Sequence, residues 1–351
     1  MPGDPVKVDG LYGEGGGSVL RTALGLSAVT GRPVSVRNIR SNRPRPGLAA
    51  QHLTGLRALA RLFGARIDGA ELGSTAICFA PGKPVAGEIE VDVGTAGSIA
   101  LMLQTLMIPL PFAGRDTRIS LSGGTHVPWA PTVDYLANVT IPLLERMGCR
   151  YEIEILKPGY YPRGGGKVVL NSSPSNGLGA LNLDNFGRLC NVRGISRVSN
   201  LPEHVAGRQA SSAKKVLGSV LDVKVDVISE AALCPGSAIT LWALTSNGCR
   251  LGASALGKRG KPAEEVGRQA GDEILSYMNF GAPVDPYFLD QVIPYAALAR
   301  GRTRLSGSRY TLHAKTNIHI VKKFVDCEIE VEGDLDGPCK VTIDGVSLRG
   351  E

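Results

Sequence analysis

Apolar residues recur at helical spacing in the first part of the chain. Leu53, Leu56, Leu59 and Phe63 fall on one face of a helix. Alternating apolar and polar residues precede this stretch in PVSVR (33–37) and predict a β-strand there. A glycine follows the last apolar residue, as is typical of a helix C-terminus. The pattern therefore predicts strand, polar loop, helix, glycine and a second strand.

The same order recurs 84 residues later and shows that the chain contains an internal repeat. The segment from Pro33 matches the segment from Thr117 without a gap, as far as FGAR (63–66) against MGCR (147–150). A further helix precedes each copy and opens on a glycine-rich turn. Ser18 and Ser98 stand at these openings and are predicted as N-caps.

A third copy follows near the C-terminus. Its first helix is predicted in DPYFLDQVIPYAALARG (285–301), and its second helix opens LHAKTNIHIVKKFVDCEIEVEG (312–333). This second helix is predicted to be about two turns shorter than its counterparts, with His313 at the join between strand and helix. The repeats are placed at about 1–80, 81–165, and 166–185 with 280–351.

The repeats predict an α/β (α+β) fold. Each unit should pack two helices on one face of a four-stranded sheet, and three units should surround a pseudo-threefold axis. The loops before the second helices would then converge, bringing together Arg40, Arg43, Arg45, His126 and His313. Residues 1–185 plus 280–351 are predicted to form one large catalytic domain.

Residues 186–279 interrupt the third copy and are predicted to form an inserted, smaller domain. The predicted elements are a strand at 190–198, a helix at 203–218, a strand at 223–229, two strands within 237–256 and a helix at 262–279. This order can form one four-stranded sheet with two helices.

Composition indicates a globular protein of the cytoplasm. The chain has 351 residues, of which 43% are hydrophobic and 20% charged, and no apolar run reaches the roughly 20 residues that span a bilayer. The N-terminus lacks an apolar signal segment. The seven cysteines form no CxxC pair or zinc-ligand spacing and are predicted to be buried free thiols.

The net charge of +7 suits a polyanionic partner such as nucleic acid, although a mildly basic surface explains the charge equally well. Arg37, Arg40, Arg43 and Arg45 crowd one loop and could bind phosphates or form a solvated face. The glycines of DGLYGEGGGSVLR (9–21) would let backbone N–H groups approach an anion at a helix N-terminus.

Glu14 lies inside this glycine-rich loop, where a carboxylate would repel a phosphate unless a cation lay between them. Glu14 is therefore a candidate Mg²⁺ ligand, since that ion takes one or two carboxylates plus phosphate oxygens. A turn with a solvated glutamate is the alternative. His313, alone in its loop, is either structural or a nucleophile that attacks a nucleotide α-phosphate.

Several motifs occur together in a specific order: DGLYGEGGGSVLR, NIRSNRPRPGLAAQHL, GTAGSIALMLQTL, GGTHVPWAP, YYPRGGG, LGKRGKPAEEVG, YFLDQVIPYAALA and LHAKTN. From about residue 9 to 330 the chain closely resembles the RNA 3′-terminal phosphate cyclases. The resemblance implies three α/β units with an inserted domain of thioredoxin-like topology. It also implies ATP-dependent conversion of an RNA 3′-phosphate into a 2′,3′-cyclic phosphodiester.

The resemblance further implies roles for single residues. His313 matches the histidine that becomes adenylylated, and Glu14 matches the glutamate linked to Mg²⁺ or Mn²⁺. ATP- and phosphate-binding positions are matched by Arg21, Arg40, Arg43, Gln51, His52, Gln104, Asp290 and Gln291. Pro131 and Tyr287 match residues that bracket the adenine. Pro158 departs from the family, which has a basic residue there.

The implied partners are ATP and RNA with a 3′-phosphate end. No membrane association is expected, and the question whether the protein forms a homo-oligomer is left open. One alternative is the non-catalytic branch of this family, an RNA-binding protein of ribosome assembly that lacks the histidine. A carboxyvinyl transferase with the same repeat architecture is a third hypothesis. His313 favours the enzyme, because neither alternative needs it.

Overall fold

The computed structural model describes residues 4–348 except for 86, 219 and 221. The elements of the first two units follow one another along the chain. They are β1 (Val6–Asp9), α1 (Gly17–Thr30), β2 (Val34–Arg37), α2 (Ala50–Leu62), β3 (Arg66–Asp68), β4 (Ile77–Ala80), β5 (Glu88–Asp92), α3 (Ile99–Leu106), β6 (Thr117–Gly123), α4 (Val133–Tyr135), a π-helical segment (Leu136–Thr140), α5 (Ile141–Glu145), β7 (Arg150–Lys157) and β8 (Gly166–Ser173).

The remaining elements contain the interrupted third unit. They are β9 (Asn182–Leu183), β10 (Leu189–Ser199), α6 (His204–Val216), β11 (Val223–Glu230), β12 (Gly236–Thr245), β13 (Arg250–Leu256), α7 (Ala263–Phe280), α8 (Pro286–Leu298), β14 (Arg300–Gly307), α9 (Leu312–Phe324), β15 (Glu328–Glu332) and β16 (Cys339–Val346). In this described part of the chain, every helix is too short or too polar to cross a membrane.

Three sheets share one strand order. They run β1-β2-β4-β3, β5-β6-β8-β7 and β9-β14-β16-β15. In each sheet the first pair is parallel, and the other two pairs are antiparallel. The mixed α/β class is therefore confirmed. The pseudo-threefold arrangement of the units stays a prediction.

The strands and helices predicted within 186–279 are present with small shifts of their ends. They form a fourth sheet in the order β11-β10-β12-β13, on which α6 and α7 pack. Ile239, Leu251 and Ile274 are fully buried in an apolar cluster of this region, separate from the cluster that joins the three repeated sheets. The division of the chain into two domains stays a prediction.

Two predictions about helix ends are wrong. Helix α9 has 13 residues, as many as α2, because its buried face continues through Val321 to Phe324. Its first residue is Leu312, so His313 lies in the first helical turn rather than in a loop before it. The start of α9 at Leu312 therefore places the histidine on a helix.

The N-cap prediction is confirmed for Ser98 but wrong for Ser18. The Ser98 hydroxyl accepts the Leu101 N–H at 3.2 Å. Helix α1 instead begins at Gly17, and the Ser18 hydroxyl donates to Asn317 Oδ1 of α9 at 3.3 Å. Ser18 thus joins the first and last repeated units.

The cysteine prediction is confirmed in one respect and wrong in another. All seven cysteines are free thiols. Cys149, Cys234, Cys249 and Cys339 are buried, whereas Cys78 and Cys190 are exposed. Both exposed thiols lie on strands at positions whose side chains face away from the apolar clusters.

Candidate active site

Glu14 and His313 meet where the first and third units touch. His313 Nε2 lies 3.1 Å from Glu14 Oε2, and Arg43 Nη2 lies 3.4 Å from the same oxygen. The side chains of all three residues are partly exposed, so a substrate can reach them. The arrangement places an imidazole nitrogen, a carboxylate and a guanidinium around one point.

The first turn of α9 positions His313. Thr311 is the N-cap of this helix, and its hydroxyl accepts the Ala314 N–H at 2.9 Å. Burial lowers the pKa of His313, and the nearby Arg21 and Arg43 lower this pKa further, against the raising effect of Glu14. A neutral imidazole is therefore favoured at neutral pH, and a neutral ring can act as a nucleophile.

Behind His313 lie a half-buried cation, Arg21, and a half-buried acid, Asp290. Burial lowers the pKa of Arg21 to about 10, which leaves the guanidinium charged at neutral pH. Burial also raises the pKa of Asp290 to about 8. The Thr311 hydroxyl donates to Asp290 Oδ1, so the cap of α9 also anchors this carboxyl group on α8.

Side chains from other segments crowd the glycine-rich loop, which explains why residues without a Cβ occupy it. A Cβ on Gly13 would lie 2.1 Å from Thr316 Oγ1, and one on Gly17 would lie 2.2 Å from His52 Nε2. Both separations are far below any real contact. The loop can approach α2 and α9 closely only because it is made of glycine.

Gln51, His52 and Arg40 form the second side of the cluster. Gln51 Oε1 accepts the Ser98 N–H at 2.9 Å, so α2 is tied to the start of α3. His52 is buried, its Nδ1 has no hydrogen-bond partner among the described residues, and burial together with Arg21 and Arg40 lowers its pKa to about 3. Arg40 has a left-handed backbone, and its guanidinium donates to Gly47 O at 2.8 Å.

The residues predicted to bind adenine lie on neighbouring elements. The Tyr287 ring, which is 39% exposed, meets Tyr135 edge-on with 5.9 Å between ring centroids. Gln291 accepts a hydrogen bond from Thr140 and donates one to Tyr287 O. Pro131 precedes α4, and Gln104 lies on α3; both are partly buried.

His126 does not share the environment of His313 that the repeat led us to expect. Its ring is 2% exposed, with Nδ1 2.7 Å from Thr125 Oγ1 and Nε2 2.8 Å from Asp134 Oδ2. Both ring nitrogens are thus engaged inside the protein. Glu14 instead meets the loop that carries Arg43 and the first turn of α9, which carries His313.

Sequence reasoning missed the role of Thr311 and assigned none to Asn317. Asn317 Oδ1 accepts the Thr22 hydroxyl at 2.8 Å, and its Nδ2 donates to Asp290 O at 2.6 Å. This amide therefore holds α1, α8 and α9 together beneath the cluster. A threonine directly before a helix is a recognisable N-cap signal, whereas the partners of Asn317 depend on the packing of distant segments.

A metal ion at Glu14 is compatible with the residues present. Among the described residues, no group of three or more His, Cys, Asp or Glu side chains could hold a metal alone. A single carboxylate such as Glu14 suits Mg²⁺, which completes its coordination with phosphate oxygens and waters. Any such ion would therefore be held jointly by the protein and a bound nucleotide.

The family model for RNA 3′-terminal phosphate cyclases matches residues 12–331. The chain belongs to the RNA 3′-terminal phosphate cyclase family. Three relatives carry that name. The protein of Pyrobaculum neutrophilum is 46% identical over 93% of this chain and 95% of its own. The protein of Archaeoglobus fulgidus is 46% identical over 94% of this chain and 98% of its own. The protein of Methanopyrus kandleri is 44% identical over 96% of this chain and 98% of its own.

Similarity to solved structures outside this family is weak. The enolpyruvyl transferase NikO from Streptomyces tendae aligns with 99% of this chain and 50% of its own at 11% identity and a TM-score of 0.38. A TM-score this low carries no argument about fold or function.

Proposed function

We propose that this protein is an ATP-dependent enzyme that converts an RNA 3′-terminal phosphate into a 2′,3′-cyclic phosphodiester through a covalent histidine–AMP intermediate. The observation that carries the proposal is the placement of His313 Nε2, 3.1 Å from Glu14 and beside Arg43. Membership of the cyclase family supports the same activity. The non-catalytic alternative offers no reason for this arrangement.

In the first step, a neutral His313 attacks the α-phosphorus of ATP. The new N–P bond replaces the P–O bond to the β-phosphate, and pyrophosphate leaves. The lowered pKa of His313 keeps its lone pair available near neutral pH. Arg43 and the half-buried Arg21 supply positive charge, which stabilises the charge that develops on the phosphate oxygens.

In the second step, an oxygen of the RNA 3′-phosphate attacks the phosphorus of the histidine-bound AMP. The N–P bond breaks, and His313 is regenerated. The vicinal 2′-hydroxyl then attacks the activated 3′-phosphate, loses its proton and expels AMP. The terminal nucleotide must therefore carry a 2′-hydroxyl, and a DNA end could be adenylylated but not cyclised.

Glu14 would hold Mg²⁺ or Mn²⁺ against the phosphates, and such an ion would neutralise phosphate charge during nucleotidyl transfer. The glycine-rich loop before α1 brings backbone N–H groups and the positive end of the helix to the same place. Tyr287 and Pro131 would hold the adenine, with Gln51, His52, Gln104, Asp290 and Gln291 around the nucleotide.

The decisive experiment incubates the protein with α-labelled ATP and a divalent metal. The wild type should acquire covalent label that survives alkali and is released by acid, as a phosphoramidate is. His313→Ala should abolish the label, whereas His204→Ala, an exposed histidine at the start of α6, should retain it. Persistent labelling of His313→Ala would show that another residue is the nucleophile.

A second assay tests cyclisation itself. RNA ending in a 3′-phosphate should yield a 2′,3′-cyclic end, and the same RNA with a 2′-deoxy terminal nucleotide should accumulate the adenylylated end. If the wild type takes up no label and cyclises no RNA yet binds it, the protein belongs to the non-catalytic branch.

A further inference from the structure

Trp129 is the most exposed large apolar side chain recorded in the described residues, with 95% of its surface accessible. Its φ of 63° lies in the left-handed region, which a bulky side chain rarely adopts. Backbone strain and a fully exposed indole are both unfavourable for a free protein. Their combination at one residue indicates a binding role.

The two ends of the 124–131 loop are fixed, so the position of Trp129 is defined. Thr125 and His126 are buried at its start, and Thr132 is buried at its end. Thr132 caps α4 through the Tyr135 N–H and lies 2.8 Å from Thr240 Oγ1. The backbone that presents the ring is therefore anchored on both sides, so little backbone entropy is lost when the ring binds a partner.

A second turn packs beside this loop and presents another exposed aromatic ring. The backbone N–H groups of Thr125 and His126 donate to Gly159 O at 2.9 and 3.1 Å. The turn that follows exposes Tyr161, with 66% of its surface accessible, and the side chain of Arg163. We call Trp129, Tyr161 and Arg163 the aromatic platform.

The aromatic platform is connected to the candidate active site on two sides. A Cβ on Gly164 would lie 2.6 Å from Thr95 O, so the second turn packs against the segment that opens α3, where Ser98 binds Gln51. On the other side, α4 follows the Trp129 loop, and its Tyr135 contacts Tyr287.

We propose that the aromatic platform binds the unpaired bases next to the 3′-phosphate of the substrate RNA, with a base stacked on Trp129 and Arg163 near the backbone phosphate. Single-stranded nucleic acids are held by this combination of aromatic rings and positive charge, which accepts any base. The net charge of +7 favours a polyanion over an apolar protein segment. The inference rests on the proposed function, because it assumes that RNA is the substrate.

Fluorescence tests the contact directly. Trp242, the other tryptophan, is 9% exposed, so Trp242→Phe leaves Trp129 as the sole tryptophan. Titrating this variant, without ATP, with a short single-stranded RNA bearing a 3′-phosphate should quench its fluorescence. A fully base-paired RNA end should quench it much less. Tight RNA binding without any change in fluorescence would overturn the proposal.

Kinetics separate this proposal from the proposed function. Trp129→Gly removes the ring and suits the left-handed backbone, so the variant should melt no lower than the wild type. Its KM for RNA should rise about 5- to 150-fold, the loss expected for one stacked base. Self-adenylylation without RNA should be unchanged. Trp129→Phe should lie close to the wild type, as should Phe280→Ala, which removes an exposed aromatic ring at the end of α7.

Each failure has its own signature. If the wild type cyclises RNA but Trp129→Gly has an unchanged KM for RNA, the platform proposal is wrong and the function stands. If Trp129→Gly instead raises the ATP concentration needed for self-adenylylation, the ring contacts the nucleotide, and RNA is not its ligand. If the wild type neither labels nor cyclises, the proposed function itself has failed.

Discussion

At the scale of single residues, the candidate site is a balance of charges around one imidazole. Glu14 raises the pKa of His313, whereas burial, Arg21 and Arg43 lower it, and the lowering effects are larger. The two opposing side chains that are easiest to reach, Glu14 and Arg43, contact each other. Changing either one should therefore move the pKa of the histidine in a known direction.

We expect the pH dependence of self-adenylylation to show this balance. The rate should be constant around neutral pH and fall only below the usual histidine pKa of about 6.5, because the neutral ring is the reactive form. Arg43→Gln removes a group that lowers the pKa, so the acid limb should move to higher pH. Glu14→Gln removes a group that raises the pKa, so the limb should move to lower pH.

Rates of label incorporation under single-turnover conditions measure these shifts. The pH at which the rate falls to half is compared between variants separately from the maximal rate. Arg45→Gln, which removes an exposed arginine of the same loop, provides the control and should leave the limb in place. If the two variants at Glu14 and Arg43 shift the limb in the same direction, the assigned charges do not control His313.

At the scale of elements, the beginnings of helices decide where functional side chains lie. Thr311 directly precedes α9, caps its first turn and binds Asp290 of α8. The cap thus fixes the helix that carries His313 relative to its neighbour. Thr132 caps α4 with the same geometry.

Thr311→Ala should reduce both stability and chemistry. Loss of the cap should lower the free energy of unfolding by about 1 kcal/mol, and the rate of self-adenylylation should fall because the first turn of α9 loosens around His313. Thermal or urea unfolding measures the first effect and label incorporation the second. Thr311→Ser should restore both, because it keeps the hydroxyl.

Thr132→Ala provides the matched control. It removes an equivalent cap from α4 and should destabilise the protein at least as much, since Thr132 also lies within hydrogen-bond distance of Thr240. At saturating ATP the rate of self-adenylylation should nevertheless remain close to that of the wild type, because any effect through the neighbouring Pro131 would appear in the ATP concentration that is needed. Equal losses of labelling in both variants would mean that stability alone, and not the position of His313, explains the effect.

The sequence predicts elements better than their ends or their neighbours. Apolar periodicity located α2, because its buried residues follow a clear helical spacing. Ser18 was assigned wrongly because a glycine run hides where α1 begins. Local sequence patterns could not predict the contact between Glu14 and His313, because it depends on how the first and last units pack. The left-handed backbone conformation of Arg40 likewise could not be predicted, because arginine rarely adopts it.

At the scale of the whole molecule, a partly buried ionic network joins the central unit to the region 186–279. Arg197 of β10 donates two hydrogen bonds to the Asp134 carboxylate, at 2.8 and 3.0 Å, and one to Glu230 at 2.7 Å. Burial alone would raise the pKa of Asp134, but His126 and Arg197 lower it overall. The network therefore fixes the two parts of the chain against each other.

Arg197→Met should destabilise the protein strongly. Asp134 is 3% exposed, and without Arg197 its buried charge would keep, among the described residues, only the hydrogen bond to His126. The loss should approach the roughly 3–5 kcal/mol in the free energy of unfolding that breaking a buried ion pair costs. The double variant Arg197→Met with Asp134→Leu should lose less, because the buried carboxylate is removed and only His126 Nε2 is left without its partner. Urea unfolding of the three proteins tests this order. A double variant less stable than Arg197→Met would contradict it.

The same pair predicts an effect of acid. A lowered pKa means that Asp134 contributes stability above its unfolded pKa of about 3.8, and this contribution is lost as pH falls through the folded pKa. The stability advantage of the wild type over Asp134→Asn should therefore be constant from neutral pH to about pH 5 and shrink in stronger acid. Thermal melting at several pH values measures the difference between the two curves.

The bonds between α1 and α9 also have a consequence for the time at which the protein becomes active. Ser18 and its partner Asn317 are 299 residues apart in the chain. A ribosome releases the first two sheets and the 186–279 region well before it has made α9, and domains fold as they emerge. The growing chain therefore carries its glycine-rich loop and arginines long before His313, the proposed nucleophile. Self-adenylylation should begin only after α9 has been made, and chains that end before α9 should take up no label.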